Sequence, residues 1–299
     1  MGSLVLSLDA ELGWGFHHHE ELPVARIRDA RERWLQLRDC FDEFGVPATW
    51  AVVGHLFLED CQTPHEDHPA GERLCQEPPG TAGDLWYARD LIDRLRDAAV
   101  DHDIGAHGFT HLQFQHEAMT GAFAAREFDR GARAARAHGV DPTSFVYPVN
   151  EIGYRELLAE HGYDCYRGQR PDRPDRARKL AGALTGRGTP PIIQPRIDEY
   201  GLVDVPASMY LFSLEGPVRG VAERVSGDPV ANWAVNGLER LSETEDGLLH
   251  LWLHPHNVTG ERDVARLRAI LERAATLRDR GEIEVETMAD VAERTLAGE

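Results

Sequence analysis

Apolar and polar positions recur along the chain with two periods, and the two take turns. The stretch SLVLSLDAE near the start is a short apolar run that closes on acids, the pattern of a buried strand. Period-two alternation puts Val5, Ser7, Asp9 and Glu11 on one face and Leu4, Leu6 and Leu8 on the other. From 23 to 45 the period becomes helical, with Ile27, Trp34, Leu37, Phe41 and Phe44 on one stripe and Gly45 as the terminating glycine. PATWAVVGHLF predicts a second strand, and the Pro-, Gly- and charge-rich residues 60–84 predict a loop. A helix around WYARDLIDRLRDAAV leads into the strand DIGAH, a helix near 120–138 leads into SFVYP, and the helix GYRELLAEHG precedes YDCYRG. At about 168–200 the composition shifts to Arg, Pro and Gly, an irregular excursion. Pattern returns at GLVDVPAS and at the strand GLLHLWLHPHN, followed by a helix from about 261 to 280, the strand EIEVE and a short helix.

Strands alternating with helices predict a mainly parallel α/β sheet, open or closed into a barrel. A chain of 299 residues can form that as a single domain, 1–299. No internal repeat, P-loop or dinucleotide-binding glycine fingerprint is present.

Charge narrows the partners. Asp and Glu number 51 against 32 basic residues, a net of −19, and Lys179 is the only lysine. Such an acidic surface disfavours nucleic acid and anionic membranes. It resembles the surface of halophilic proteins, where screening over ~3 Å at molar salt relieves the self-repulsion. No run of about 18 apolar residues occurs, and Met1 leads straight into SLVLSLD without a basic leader, so a cytoplasmic protein with no membrane insertion is expected. The four cysteines, Cys40, Cys61, Cys75 and Cys165, form no C-x-x-C pair and are expected to be reduced, mostly buried thiols.

Histidine carries the chemistry. His107 and His111, in DIGAHGFTH, have a spacing of four, but with 15 histidines roughly one such pair arises by accident. His250 and His254 form a second. What singles out the first pair is its position. In a parallel α/β fold, functional groups gather at the carboxyl ends of strands. That rule selects Asp9 and Glu11, His107 and His111, Tyr147 to Asn150, and His254 and His256. Two imidazoles and a carboxylate suit a catalytic divalent metal, with a second carboxylate as base and a histidine as acid.

In order, LVLSLDAE, PATWAVVGHLF, HDIGAHGFTH, SFVYPVNEIG and LLHLWLHPHN resemble the motifs of the polysaccharide deacetylases of the NodB-homology, carbohydrate esterase 4 type. The resemblance spans nearly the whole chain and is weakest between about 168 and 200. It implies a distorted (β/α)7-type barrel and a metal-dependent hydrolase that removes an acetyl group from an N-acetylated sugar with one divalent metal ion, zinc. It further implies that His107 and His111 are ligands and His254 the general acid. The family's first motif has adjacent aspartates, whereas this chain has Asp9-Ala10-Glu11. Asp9 is assigned as base and Glu11 as ligand, with the exchange of the two roles open. The third motif's arginine is missing from FVYPVN, and Tyr147, Pro148 and Asn150 are expected to shape the substrate groove and offer a backbone N–H to the oxyanion. His256 is expected to contact substrate, and Trp14 and Trp252 either to stack on a sugar or to pack in the core. His17 to His19 form a loop near the site, solvated or touching substrate, while HEDH, His65 to His68, reads as solvated loop.

A cytoplasmic deacetylase would act on a nucleotide- or lipid-linked glycan precursor. Two alternatives stay open: a same-fold amidohydrolase on a small non-sugar amide, and a catalytically impaired glycan-binding protein, suggested by Ala10 and the missing arginine.

Overall fold

The computed structural model describes residues 1–61, 65, 68–71, 74–76, 83–169, 188–213 and 227–298. Among these, the strands are β1 (Ser3–Ala10), β2 (Thr49–Val52), β3 (Asp103–Ala106), β4 (Ser144–Phe145), β5 (Cys165–Gly168), β6 (Arg196–Ile197), β7 (Val203–Pro206), β8 (Met209–Tyr210), β9 (Leu248–Leu253) and β10 (Glu284–Glu286). The helices are α1 (Val24–Phe44), α2 (Arg89–Arg96), α3 (Gly121–Ala137), α4 (Arg155–Glu160), α5 (Pro229–Ser242), α6 (Glu261–Asp279) and α7 (Met288–Ala297).

The strands form one sheet in the order β6-β7-β5-β4-β3-β2-β1-β9-β8, with β10 also on β1. Every pairing is parallel except that of β6 with β7. β7 and β8 behave as one bent strand. β7 pairs with β5, and two residues later β8 pairs with β9. Across the bend, Ala207 N–H donates to the Gly168 carbonyl and Ser208 N–H to the His250 carbonyl, at 3.0 and 2.8 Å. The sheet thereby curls into the distorted β/α barrel that the sequence leads one to expect.

Alternation along β1 decides what faces where. Leu4, Leu6 and Leu8 join the outer core with Trp34, Leu37 and Phe41 of α1. Val5 faces inward among Ala51, Val146, Cys165, Val203 and Val205, and Met288 and Val291 of α7 pack into that same cluster. α7 starts with a capping box, Thr287 and Asp290 bonding each other's backbone N–H. α1 packs Trp34 on Trp50 at 5.4 Å between ring centres and ends at Gly45, whose φ of 60° is left-handed.

The second strand is shorter than PATWAVVGHLF implies. After Val52 the chain turns into a 3-10 segment, Gly54–Phe57, whose first N–H groups bond to the Gly108 and Phe109 carbonyls. A side chain at Gly54 would lie 2.6 Å from Gly131 Cα, so α3 crosses in close backbone contact. α5 was not anticipated from the sequence. Asp228 caps it by accepting from Val230 and Ala231 N–H, with Pro229 at its first position. Residues 170–187, most of the expected excursion, lie outside the described residues. Among the described residues no helix is long and apolar enough to cross a membrane.

Candidate active site

Asp9 and Glu11 lie at the end of β1, 2% and 5% exposed. Ala10, where the resemblance leads one to expect a second aspartate, packs in the outer core. Glu11 therefore reaches the interior from one residue further on, past the strand end.

β3 delivers His107, and the turn after it delivers His111. His107 Nδ1–H donates to the Val146 carbonyl at 2.7 Å, which leaves Nε2 with its lone pair. Nε2 lies 3.6 Å from Glu11 Oε2 and 4.0 Å from Asp9 Oδ2. His111 Nε2 approaches the same Glu11 oxygen at 2.6 Å. Both Nε2 atoms are buried and neither makes a hydrogen bond, the short Glu11 approach being off-line for one. One carboxylate and two imidazoles thus bring ligand atoms within 4.8 Å of one another, and that donor set fits a divalent cation.

The turn holding these histidines is itself braced. His111 has a φ of 60° and Gly108 one of 73°, so the backbone doubles back in the left-handed region. Buried Glu127 of α3 accepts from Phe109 N–H, Thr110 N–H and the Thr110 hydroxyl at 2.8 to 2.9 Å.

Asp9 is held differently. Arg167 on β5 grips it with two parallel contacts, Nη1 to Oδ1 at 2.6 Å and Nη2 to Oδ2 at 2.7 Å. Burial pushes the Asp9 carboxyl up, but Arg167, His254 and His107 outweigh it and bring the group down to about 2. Glu11 is likewise held well below the usual carboxylate range, its burial overcome chiefly by His111 and His254. Arg167 is fully buried and fixed on every side. Nε and Nη2 donate to Asn150 Oδ1, Nη1 also donates to Ser7 Oγ at 3.1 Å, and the Trp252 ring lies 4.3 Å from Cζ. Ser7 in turn donates to His250 Nε2 at 2.8 Å, and His250 Nδ1–H points to the Val205 carbonyl at 3.3 Å. Burial keeps His250 neutral, at about 3.

His254 follows β9. Its Nε2 lies 3.5 Å from Asp9 Oδ2 and 3.6 Å from Glu11 Oε1, and its Nδ1 is 3.3 Å from the Tyr210 hydroxyl. His256 Nδ1 lies 3.4 Å from Glu11 Oε1, so Glu11 stands between the His107–His111 pair and the His254–His256 pair. Burial pushes His256 down to about 3.

Several sequence-derived positions are settled or corrected by the structure. Trp14 is fully buried, stacked 4.2 Å from His55 with its indole N–H on the Trp86 carbonyl, so no sugar reaches it. Tyr147 points to the outer face of β4's continuation and packs with Phe114, Phe145 and Tyr166. Asn150 turns its amide to Arg167, and its N–H donates to the Tyr147 carbonyl, so it offers nothing to an oxyanion. His68 is buried, 5% exposed, and His65 is partly buried, where a solvated loop was expected. Pro148 is buried and starts the short 3-10 turn to Asn150 beside Gly108. His17 does border the site, with Nε2 3.2 Å from the His111 carbonyl.

Arg167 is the residue that sequence reasoning missed. The signal was present in YDCYRG, where period two puts Cys165 and Arg167 together on the inward face, a lone arginine in a buried strand.

The sequence matches no protein-family model and no curated protein. Its fold does match solved structures. A Mycobacterium smegmatis protein named as a polysaccharide deacetylase superposes with a TM-score of 0.63 at 18% identity, over 99% of this chain and 90% of that one. A Pseudomonas aeruginosa PAO1 protein named likewise gives 0.61 at 14%, over 97% and 89%. A structure named as Puue allantoinase gives 0.61 at 15%, over 99% and 90%. The chain thus has the fold of the polysaccharide deacetylases.

Proposed function

We propose that the protein is a metal-dependent hydrolase of carbon–nitrogen amide bonds that removes an acetyl group from an N-acetylated sugar. The observation that carries this reading is the pairing of two buried, unbonded imidazole nitrogens on one Glu11 oxygen with a base carboxylate clamped 4.0 Å away. Glu11, His107 and His111 would hold the ion, zinc being the metal that this donor set suits. A divalent cation so bound supplies Lewis-acid activation of a carbonyl and of water.

The chain's own groups account for the proton traffic. Asp9, fixed by Arg167 and held ionised, takes the proton from the attacking water. His254 delivers a proton from Nε2 to the departing amine, its Nδ1 side backed by Tyr210. Acetate and a free amine leave. Arg167 supplies what the third motif lacks, which weakens the reading of an impaired binding protein. A cytoplasmic nucleotide- or lipid-linked glycan precursor is the substrate class we favour.

One observation supports a second reading, hydrolysis of a small non-sugar amide. Trp14, one of the two tryptophans weighed as a sugar platform, and Tyr147, expected to shape the groove, are both buried in the core. The two readings separate in one assay. Zinc-loaded protein is incubated with nucleotide-linked and lipid-linked N-acetyl sugars and with small cyclic and linear amides. Acetate release from the sugars supports the first, and ammonia or another amine released from the small amides alone supports the second.

A further inference from the structure

We propose that His55, Cys61, His65 and Cys75 form a second metal site, a closed tetrahedral zinc centre with a structural role. The assignment is independent of the reaction proposed above. The four residues come from two places: His55 from the 3-10 segment after β2, the others from the chain that follows it. Their spacing matches no short zinc motif, yet all four ligand atoms lie within 4.8 Å of one another.

The distances have the dimensions of a coordination polyhedron. Cys61 Sγ is 3.2 Å from His65 Nε2, and Cys75 Sγ is 3.4 Å from both His65 Nε2 and His55 Nε2. Zinc–sulfur and zinc–nitrogen bonds of about 2.3 and 2.0 Å at tetrahedral angles give sulfur–nitrogen edges of about 3.5 Å. Hydrogen bonding alone does not account for the arrangement. An imidazole nitrogen has one in-plane lone pair or one N–H. His65 Nε2 nevertheless meets two sulfurs, and Cys75 Sγ meets two imidazoles. A shared cation reconciles those contacts. Two thiolates and two neutral imidazoles form a soft, complete set that selects zinc and leaves no position for water. By contrast, Glu11, His107 and His111 make a three-donor site.

His55 is prepared for this role by its surroundings. It is fully buried, with Trp14, Phe109 and Tyr87 rings 4.2, 5.3 and 5.4 Å from its own. Trp14 belongs to the 3-10 turn Leu12–Phe16 that directly follows Glu11. An ion here therefore staples the segment carrying Cys61, His65 and Cys75 to the wall of the active site. On the same segment, His68 lies 5.1 Å from His17, which touches the His111 carbonyl.

The test uses the full chain purified in the presence of zinc. Elemental analysis is expected to find two zinc ions per wild-type chain. One should remain in H107A/H111A, and one in C61S/C75S. X-ray absorption at the zinc edge of H107A/H111A should show a mixed shell, sulfur at about 2.3 Å and nitrogen at about 2.0 Å. Should C61S/C75S fail to fold, the absorption spectrum of H107A/H111A and that of wild type still decide. A zinc-free H107A/H111A, a zinc shell without sulfur in either protein, or a Cys61–Cys75 disulfide in zinc-replete wild type would overturn the proposal.

Discussion

Arg167 on β5 and Asp9 on β1 meet inside the barrel through a two-pronged ion pair that is almost wholly removed from water, with side chains 0% and 3% exposed. Two functions rest on that contact. It keeps Asp9 ionised in a place where burial alone would protonate it, and it aims the carboxylate at the point shared by His107 and His254.

Removing the guanidinium should therefore damage both stability and turnover. R167M leaves a buried carboxylate unpaired, which costs on the order of 3–5 kcal/mol in a thermal or urea melt. Turnover should fall at least ~10²-fold, the lower range for a positioned base. Since Arg167 lowers the Asp9 pKa, its loss raises it, and the acid limb of the rate profile moves to higher pH. R167K, charged but without the fork, should lie between. An R167M enzyme with wild-type rate and pH profile would exclude a positioning role.

Asp9 and Glu11 should separate in metal analysis. D9N is expected to retain zinc at the Glu11–His107–His111 set and to lose about two to four orders of magnitude in turnover. E11Q and H107A should lose that ion. Equal metal loss in D9N and E11Q means that the two carboxylates share the ligand role.

Glu127 touches neither metal nor substrate in this scheme, yet it fixes the turn between the two histidines. E127A strands two buried N–H groups and the Thr110 hydroxyl, a cost of about 1–3 kcal/mol for each buried donor left unsatisfied. Because His111 occupies the left-handed region within that turn, zinc affinity should fall along with the melting temperature. Calorimetric zinc titration at a temperature where E127A is folded checks this, and unchanged affinity there would confine Glu127 to stability.

Asp204 on β7 makes a pH-dependent prediction far from the chemistry. Burial and Asp198 raise its carboxyl to about 6, against the opposing pull of Arg155 and Arg196, and its Oδ1 has no hydrogen-bond partner. The folded state then binds more protons than the unfolded state between the ordinary aspartate pKa and about 6, so its contribution to stability falls as pH rises through that window. D204N should raise the melting temperature at neutral pH and leave it nearly unchanged near pH ~4. A larger gain at acid pH contradicts this account.

The sequence made much of this legible, for identifiable reasons. β1, α1, β3 and β9 have unbroken periods, and strand ends collect polar groups, so Asp9, Glu11, His107, His111 and His254 could be named in advance. Side-chain direction past a strand end is a different matter: Trp14 lies in a 3-10 turn that no strand period describes, and Tyr147 continues the outward face of Phe145, so both are buried in the core. Arg167 escaped because it belongs to the strand beside the motif where it was sought. The Cys and His cluster escaped because its ligands meet only after the chain folds back on the Gly54–Phe57 turn. α5 has a clear cap in Asp228 but follows residues 214–226, which lie outside the described set.

The hydrogen bonds running from Arg167 through Ser7 and His250 to the Val205 carbonyl have one polarity, each group accepting from the one before it and donating to the next. Asp9, the proposed base, is therefore aligned largely from beneath, through Arg167 and the barrel's interior, with Asn150 of the turn after β4 as the one brace for Arg167 from a loop among the described residues. In the proposed reaction the alignment of the base is thus a property of the barrel's depth, while His17 lies at the site's border on the His111 carbonyl.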